Sequence, residues 1–134
     1  MFASPQINVY VEDVPRSAAF YERLGFVETF RTPVEGVPIH VELVLDGFTI
    51  GIASVASARA DHGLAVSSAG NAVEICLWCD DADAAYDALL AAGATSMSTP
   101  HDWLDGRLRV AWVADPEGNP VELVQRSDRQ VTGE

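Results

Sequence analysis

Gln6-Ile7-Asn8-Val9-Tyr10-Val11-Glu12-Asp13 returns as Glu74-Ile75-Cys76-Leu77-Trp78-Cys79-Asp80-Asp81 at a constant offset of 68 residues. The copy continues through a helical stretch that closes at Leu24-Gly25 in the first half and at Ala92-Gly93 in the second. Both halves also end alike. Leu45-Asp46-Gly47-Phe48-Thr49-Ile50-Gly51 matches Pro116-Glu117-Gly118-Asn119-Pro120-Val121-Glu122 at an offset of 71. An internal repeat outranks any single motif, because it sets the architecture and shows which positions are equivalent. Here it pairs Gln6 with Glu74 and Gly51 with Glu122.

Working outward from the repeat, Ile7 to Val11 alternates apolar, β-branched residues and reads as a strand. Asp13 is an N-cap, Pro15 sits in the first helical turn where its missing N–H costs little, and Gly25 supplies a left-handed C-terminus. Phe26 to Arg31 is a strand and Thr32 to Pro38 a loop. His40 to Leu45 and Phe48 to Ala53 form a hairpin around Asp46-Gly47, a strong turn signal. Ser54 to Asn71 is rich in Ala, Ser and Gly, a linker holding at most a short helical turn. The second half repeats the pattern: a strand over Val73 to Cys79, a helix from Asp81 to Gly93, and a short strand over Thr95 to Ser98. Thr99 to Gly106 reads as a loop carrying His101 and Trp103, and a last hairpin joins Leu108–Val113 to Val121–Gln125. The expectation is one α+β domain over residues 1–134. Its two βαβββ modules occupy about 5–53 and 72–126, joined by the linker at 54–71 and followed by a polar tail at 127–134.

A chain of 134 residues that is 49% hydrophobic can bury a real core. No apolar run reaches membrane-spanning length, and no signal peptide is evident at the N-terminus. The net charge of −12 excludes nucleic acid and anionic membranes as partners, since neither tolerates its own sign. Cys76 and Cys79 lie on one strand with opposite parity, so they are poor disulfide partners for each other. Free thiols suit a reducing cytoplasm, the expected location.

Val11-Glu12-Asp13-Val14-Pro15-Arg16-Ser17 with Phe20-Tyr21-Glu22-Arg23-Leu24-Gly25-Phe26 resembles the first half of the vicinal oxygen chelate superfamily. Ala114-Asp115-Pro116-Glu117-Gly118-Asn119-Pro120-Val121-Glu122-Leu123 resembles its terminal signature. That superfamily includes glyoxalase I, extradiol dioxygenases, fosfomycin-resistance enzymes and bleomycin-resistance proteins. The resemblance covers residues 5 to 125. It implies two open sheets, each curled into half of a cup, with the cup commonly completed in a homodimer.

In metal-using relatives the ligands occupy the repeat-equivalent positions, typically as two His and two acids, or with Gln for one His. Carried over, those positions are Gln6, Gly51, Glu74 and Glu122. Gln6 and Glu122 suit the pattern, Glu74 stands where His is usual, and Gly51 has no side chain. None of His40, His62 and His101 falls on a ligand position. Non-haem iron oxygenation needs two His and one carboxylate, so extradiol chemistry is rejected. No cofactor is expected; Gln6, Glu74 and Glu122 together offer oxygen donors for only a weak Mg²⁺ or Mn²⁺ site.

Strand alternation places Gln6, Asn8 and Tyr10 on one face, and Glu74, Cys76 and Trp78 on its counterpart. With Glu122, and with Trp103 folding over the mouth, these are the expected ligand-binding residues. Trp112 reads as core, and parity leaves His40 and Arg109 undecided. Aromatic walls over an amide and carboxylate floor suit a planar or cationic small molecule. The leading expectation is a metal-free, dimeric, cytoplasmic small-molecule binder of the bleomycin-resistance type. Its alternative is a glyoxalase-like lyase or isomerase in which Glu74 or Glu122 is the catalytic acid or base, since paired acids raise one another's pKa.

Overall fold

The computed structural model describes residues 1, 3–69 and 73–127. The chain divides into two compact units, with the boundary between residues 70 and 71. In the first unit the elements are β1 (Ile7–Val11), α1 (Val14–Arg23), β2 (Val27–Thr32), β3 (His40–Leu45), β4 (Phe48–Ser54) and α2 (Val55–His62). In the second they are β5 (Ile75–Trp78), α3 (Ala82–Ala91), β6 (Thr95–Trp103), β7 (Leu108–Ala114) and β8 (Pro120–Arg126). Both units are βαβββ modules, and each forms an open four-stranded sheet, ordered β1-β4-β3-β2 and β5-β8-β7-β6. The first strand of each module pairs parallel with the last, and the other neighbours are antiparallel.

The repeat is visible in the helix ends. Asp13 accepts from the Arg16 amide at 3.1 Å and Asp81 from the Ala84 amide at 3.0 Å, which satisfies one orphan N–H of each helix. At the other end Gly25 and Gly93 adopt φ of 106° and 104°, open to a residue without a side chain. In each case the glycine amide and the next one return to the last helical turn. Gly25 donates to Glu22 and Phe26 to Tyr21, and correspondingly Gly93 donates to Leu90 and Ala94 to Leu89. These are Schellman endings, and they turn each helix sharply back toward its sheet.

The core of the first unit lies between α1 and the sheet: Val11, Tyr21, Val41, Leu43, Ile50 and Ile52 are all fully buried. Val41, Leu43, Ile50 and Ile52 share parity, which sends His40, Glu42 and Gly51 to the opposite face. In the second unit Ala111, Val113, Val121 and Leu123 take the helix side with Tyr86 and Leu89 of α3.

Four sequence expectations need correcting. The linker carries a two-turn helix, because Ser54 caps it by accepting from the Ser57 amide and Gly63 ends it at a φ of 66°. Residues 70–71 of that linker, Ala72 at the start of module 2 and residues 128–134 of the expected tail lie outside the described residues. The strand expected to end at Ser98 runs on to Trp103; β6 is an edge strand, so Pro100 is tolerated where the register shifts. The strand expected over Val73 to Cys79 shrinks to Ile75–Trp78. Trp112, expected in the core, has the opposite parity to Ala111 and Val113 and lies half-buried on the face away from α3.

The β7–β8 connection hangs on Asp115, only 3% exposed. Its Oδ1 accepts from the Glu117 and Asn119 amides at 3.0 and 2.8 Å, and its Oδ2 from Asn119 Nδ2 at 3.0 Å. Asp115→Ala would strip these bonds and leave buried donors unpaired, so stability should fall by at least about 1.5 kcal/mol in urea unfolding. A loss under about 0.5 kcal/mol, the scale of an ordinary surface change, would show that the turn stands without it.

Candidate functional site

On the face of the first sheet opposite α1, β1 is the edge strand beside β4, with Asn8 paired beside Gly51 and Tyr10 beside Ala53. β3 follows, with Glu42 opposite Gly51 and His40 opposite Ala53. These side chains form one hydrogen-bonded chain. Gln6 Nε2 donates to Asn8 Oδ1 at 3.0 Å and to Glu42 Oε2 at 3.1 Å, and Glu42 Oε2 also meets His40 Nε2 at 3.2 Å. The Gln6 amide, then His40, hold the Glu42 carboxyl below its usual range, against a smaller opposing effect of burial.

Glu42 was not among the expected site residues, yet its place was computable. A two-residue turn at Asp46-Gly47 puts Leu45 opposite Phe48 and therefore Glu42 opposite Gly51. Gly51 lies at the centre of this cluster. A Cβ built there would overlap Asn8 Oδ1 and stand 3.2 Å from His40 Cε1. At the position that the resemblance assigns to a ligand this chain has no side chain, and the Asn8 carboxamide fills the space.

The equivalent face of the second sheet is acidic and aromatic. Cys76 and Trp112 flank Glu122 on its neighbouring strands, and Trp112 Nε1 donates to Glu74 Oε1 at 3.1 Å. The His101 ring stacks on Trp112, with centroids 6.2 Å apart and planes 22° from parallel. Glu74 and Glu122 meet through their carboxyl groups. Burial first, and then the hydrogen bond and charge of Glu74, push the Glu122 carboxyl above its usual range, with a smaller opposing effect of the Cys76 thiol. The Cys76 thiol is itself pushed up to about 11, by burial first and then by the charge of Glu122, so it stays protonated and weakly nucleophilic at neutral pH.

Among the expected aromatics, Trp78 is 59% exposed and carries the Arg126 guanidinium over its ring at 5.1 Å. Trp103 is 55% exposed at the end of β6 rather than in a loop. Tyr10 is half-buried on the first unit's face. The two undecided residues separate: His40 is on that face, whereas Arg109 is on the α3 side of the second sheet. There Arg109 binds both oxygens of Asp83 at 3.0 Å and Asp102 at 3.1 Å.

These residues do not fit the metal set of metal-using relatives. Gly51 contributes no donor and its space is filled. Burial and the neighbouring Glu74 raise the Glu122 carboxyl above its usual range, so it does not stand as a free carboxylate. A site for Fe, Ni or Zn wants imidazole, and His40 reaches Glu42 rather than any of the four positions.

The raised Glu122 carboxyl has a stability consequence. A carboxyl whose folded pKa is raised stabilises the fold below its unfolded value, near the ordinary 4.5, and that contribution is lost as pH rises through the folded value. Glu122→Gln, which can no longer ionise, should therefore raise the melting temperature at pH 7, with the gain vanishing near pH 4. Equal melting temperatures across that range would show that the Glu122 carboxyl is not raised.

Comparison with known proteins agrees with this architecture. A family model described as Glyoxalase/Bleomycin resistance protein/Dioxygenase superfamily matches residues 4–123. No curated protein matches the sequence. Among solved structures, a glyoxalase/bleomycin resistance protein/dioxygenase family enzyme from Burkholderia phytofirmans superposes with a TM-score of 0.78 at 21% identity, covering 93% of this chain and 99% of that one. A superfamily member from Sphaerobacter thermophilus gives a TM-score of 0.69 at 26% identity, covering 94% and 99%. TioX from Micromonospora sp. ML1 gives 0.70 at 25% identity, covering 92% and 99%. With its paired βαβββ units and the family match over nearly its whole length, the chain belongs to the glyoxalase/bleomycin resistance protein/dioxygenase superfamily.

Proposed function

We propose that this chain is a metal-free small-molecule binder of the bleomycin-resistance type. Its ligand is aromatic or cationic and rests on an open sheet face, in a cup that a second copy of the chain completes. The observation that supports this reading is the second unit's face, where the paired Glu74 and Glu122 carboxyls lie beside Trp112, with the exposed Trp78 two residues along β5 from Cys76. Aromatic walls offer stacking area at little entropic cost, and a cation arriving there relieves the repulsion between the acids. Trp78 already holds the Arg126 cation over its ring, a contact that a cationic ligand would replace. Gln6, Asn8, Tyr10, Cys76 and Trp103 complete the proposed ligand-binding set. The free Cys76 and Cys79 thiols favour a cytoplasmic setting, and no described helix is long and apolar enough to cross a membrane.

Proflavine, a planar aromatic cation, is a suitable probe, because all three tryptophans lie in the second unit and would report its binding by quenching. Trp78→Ala should weaken binding by about tenfold, the scale of a stacked cation–π contact, and Glu74→Gln should weaken it as well. Unchanged affinity in both variants would remove this reading. Elemental mass spectrometry after incubation with Mn²⁺, Mg²⁺, Ni²⁺ and Zn²⁺ tests the metal-free part. Stoichiometric metal that disappears in Glu122→Ala would overturn it.

One observation favours a second reading, a lyase or isomerase. A carboxyl raised toward neutrality and adjacent to a second acid is suited to general acid–base work, and Glu122 has that setting. For a substrate that is turned over, Glu122→Gln should abolish turnover while substrate binding persists. Turnover that survives both Glu122→Gln and Glu74→Gln would exclude it.

A further inference from the structure

Trp78 is 59% exposed, yet its ring is not bare: the Arg126 guanidinium lies over it at 5.1 Å. The register explains how the two meet. Trp78 pairs with Val124 of β8, and Arg126, the last residue of that strand, follows two positions on and so shares its face. The arginine side chain therefore reaches back diagonally over the pair. Its backbone is anchored through the neighbouring Ser127, whose amide donates to the Arg107 carbonyl at 2.8 Å. Arg126 itself is exposed, so the guanidinium can leave the ring by side-chain rotation alone, without disturbing the sheet.

The contact carries information about the ligand. A guanidinium is planar, delocalised and weakly hydrated, which lets it stack on an indole face, whereas an ammonium is compact and holds its water. The chain's own side chain thus shows which kind of cation this ring accepts. It also occupies the ring from an unfavourable anchor point. Arg126 stands four residues from Glu122 along β8, roughly 13 Å, at the end of the face away from the acids. Trp78 is nearer to them, because Glu122 pairs with Cys76, two residues or roughly 7 Å along β5. An untethered cation over the ring can settle toward those carboxyls, and that extra attraction is what lets it displace the arginine.

We propose that Arg126 is a built-in stand-in for the ligand: its guanidinium occupies the place over Trp78 that an incoming planar, delocalised cation takes by evicting it. An amidinium or guanidinium borne on an aromatic ring is the chemical class that fits. Arg126 is then a competitor that lowers affinity, not a residue that holds the ligand. This inference rests on the function proposed above and narrows it.

Proflavine quenching of the full chain tests the competition. Arg126→Ala should tighten proflavine binding about threefold, the worth of a cation–π contact at an exposed site. On a Trp78→Ala background the same change should lose its gain, because no ring is left to uncover. Displacement of bound proflavine tests the ligand class. Benzamidine should displace it at a several-fold lower concentration than benzylamine, which carries the same ring and an ammonium. Unchanged or weaker binding in Arg126→Ala, a gain of equal size on Trp78→Ala, or equal displacement by the two probes would each overturn the proposal while leaving the function above intact. A chain that proflavine does not quench, or whose affinity survives both Trp78→Ala and Glu74→Gln, would remove that function and this proposal with it.

Discussion

The parallel pairing of the first strand with the last, repeated in both units, is the constraint on which the site geometry depends. It sets Asn8 beside Gly51 and Cys76 beside Glu122, positions separated by more than forty residues in each module. Parallel neighbours cannot be joined by a tight turn, and here the chain between them runs through a helix and two strands, α1-β2-β3 in one unit and α3-β6-β7 in the other. The Schellman endings at Gly25 and Gly93 matter for this reason: they return the chain toward the sheet at the point where the next strand must begin. The helices bury one face of each sheet, and functional side chains collect on the other.

On that shared frame the two units carry different chemistry at equivalent places. Gly51 of the first unit corresponds to Glu122 of the second, and Glu42 corresponds to Trp112, each flanking its partner on the same pair of strands. The acid has in effect moved by one strand. In the first unit a carboxylate is held ionised by Gln6 and His40; in the second, burial first and then Glu74 drive Glu122 toward its protonated form. Low local polarity cannot account for both directions. Burial raises both carboxyls: at Glu122 it leads and a second acid adds to it, whereas at Glu42 a donating amide and imidazole outweigh it.

Gly51 links this contrast to the metal question. Glycine in a central strand loses the packing of a side chain, and here the loss makes room for the Asn8 carboxamide. The position that would carry a ligand in metal-using relatives is therefore absorbed into a network of Gln6, Asn8, Glu42 and His40. The same network holds the His40 ring through its Nε2.

The sequence by itself determined the two modules, their helix caps, the Asp46-Gly47 hairpin and the equivalence of Gln6 with Glu74, because these rest on local signals: period, capping chemistry and turn residues. It also held the position of Glu42, since a two-residue turn dictates register. Its blind spots were of another kind. Trp112 read as core because apolar content says that a strand is buried but not which face a given residue takes. Parity counted from a fixed neighbour decides that, and the fixed neighbours Ala111 and Val113 were known only once they packed under α3. The edge position of β6 and the helix within the linker depend on which elements meet across long separations. Tertiary structure alone settled those, because packing, unlike capping or turn formation, involves residues that the chain brings together only after it has folded.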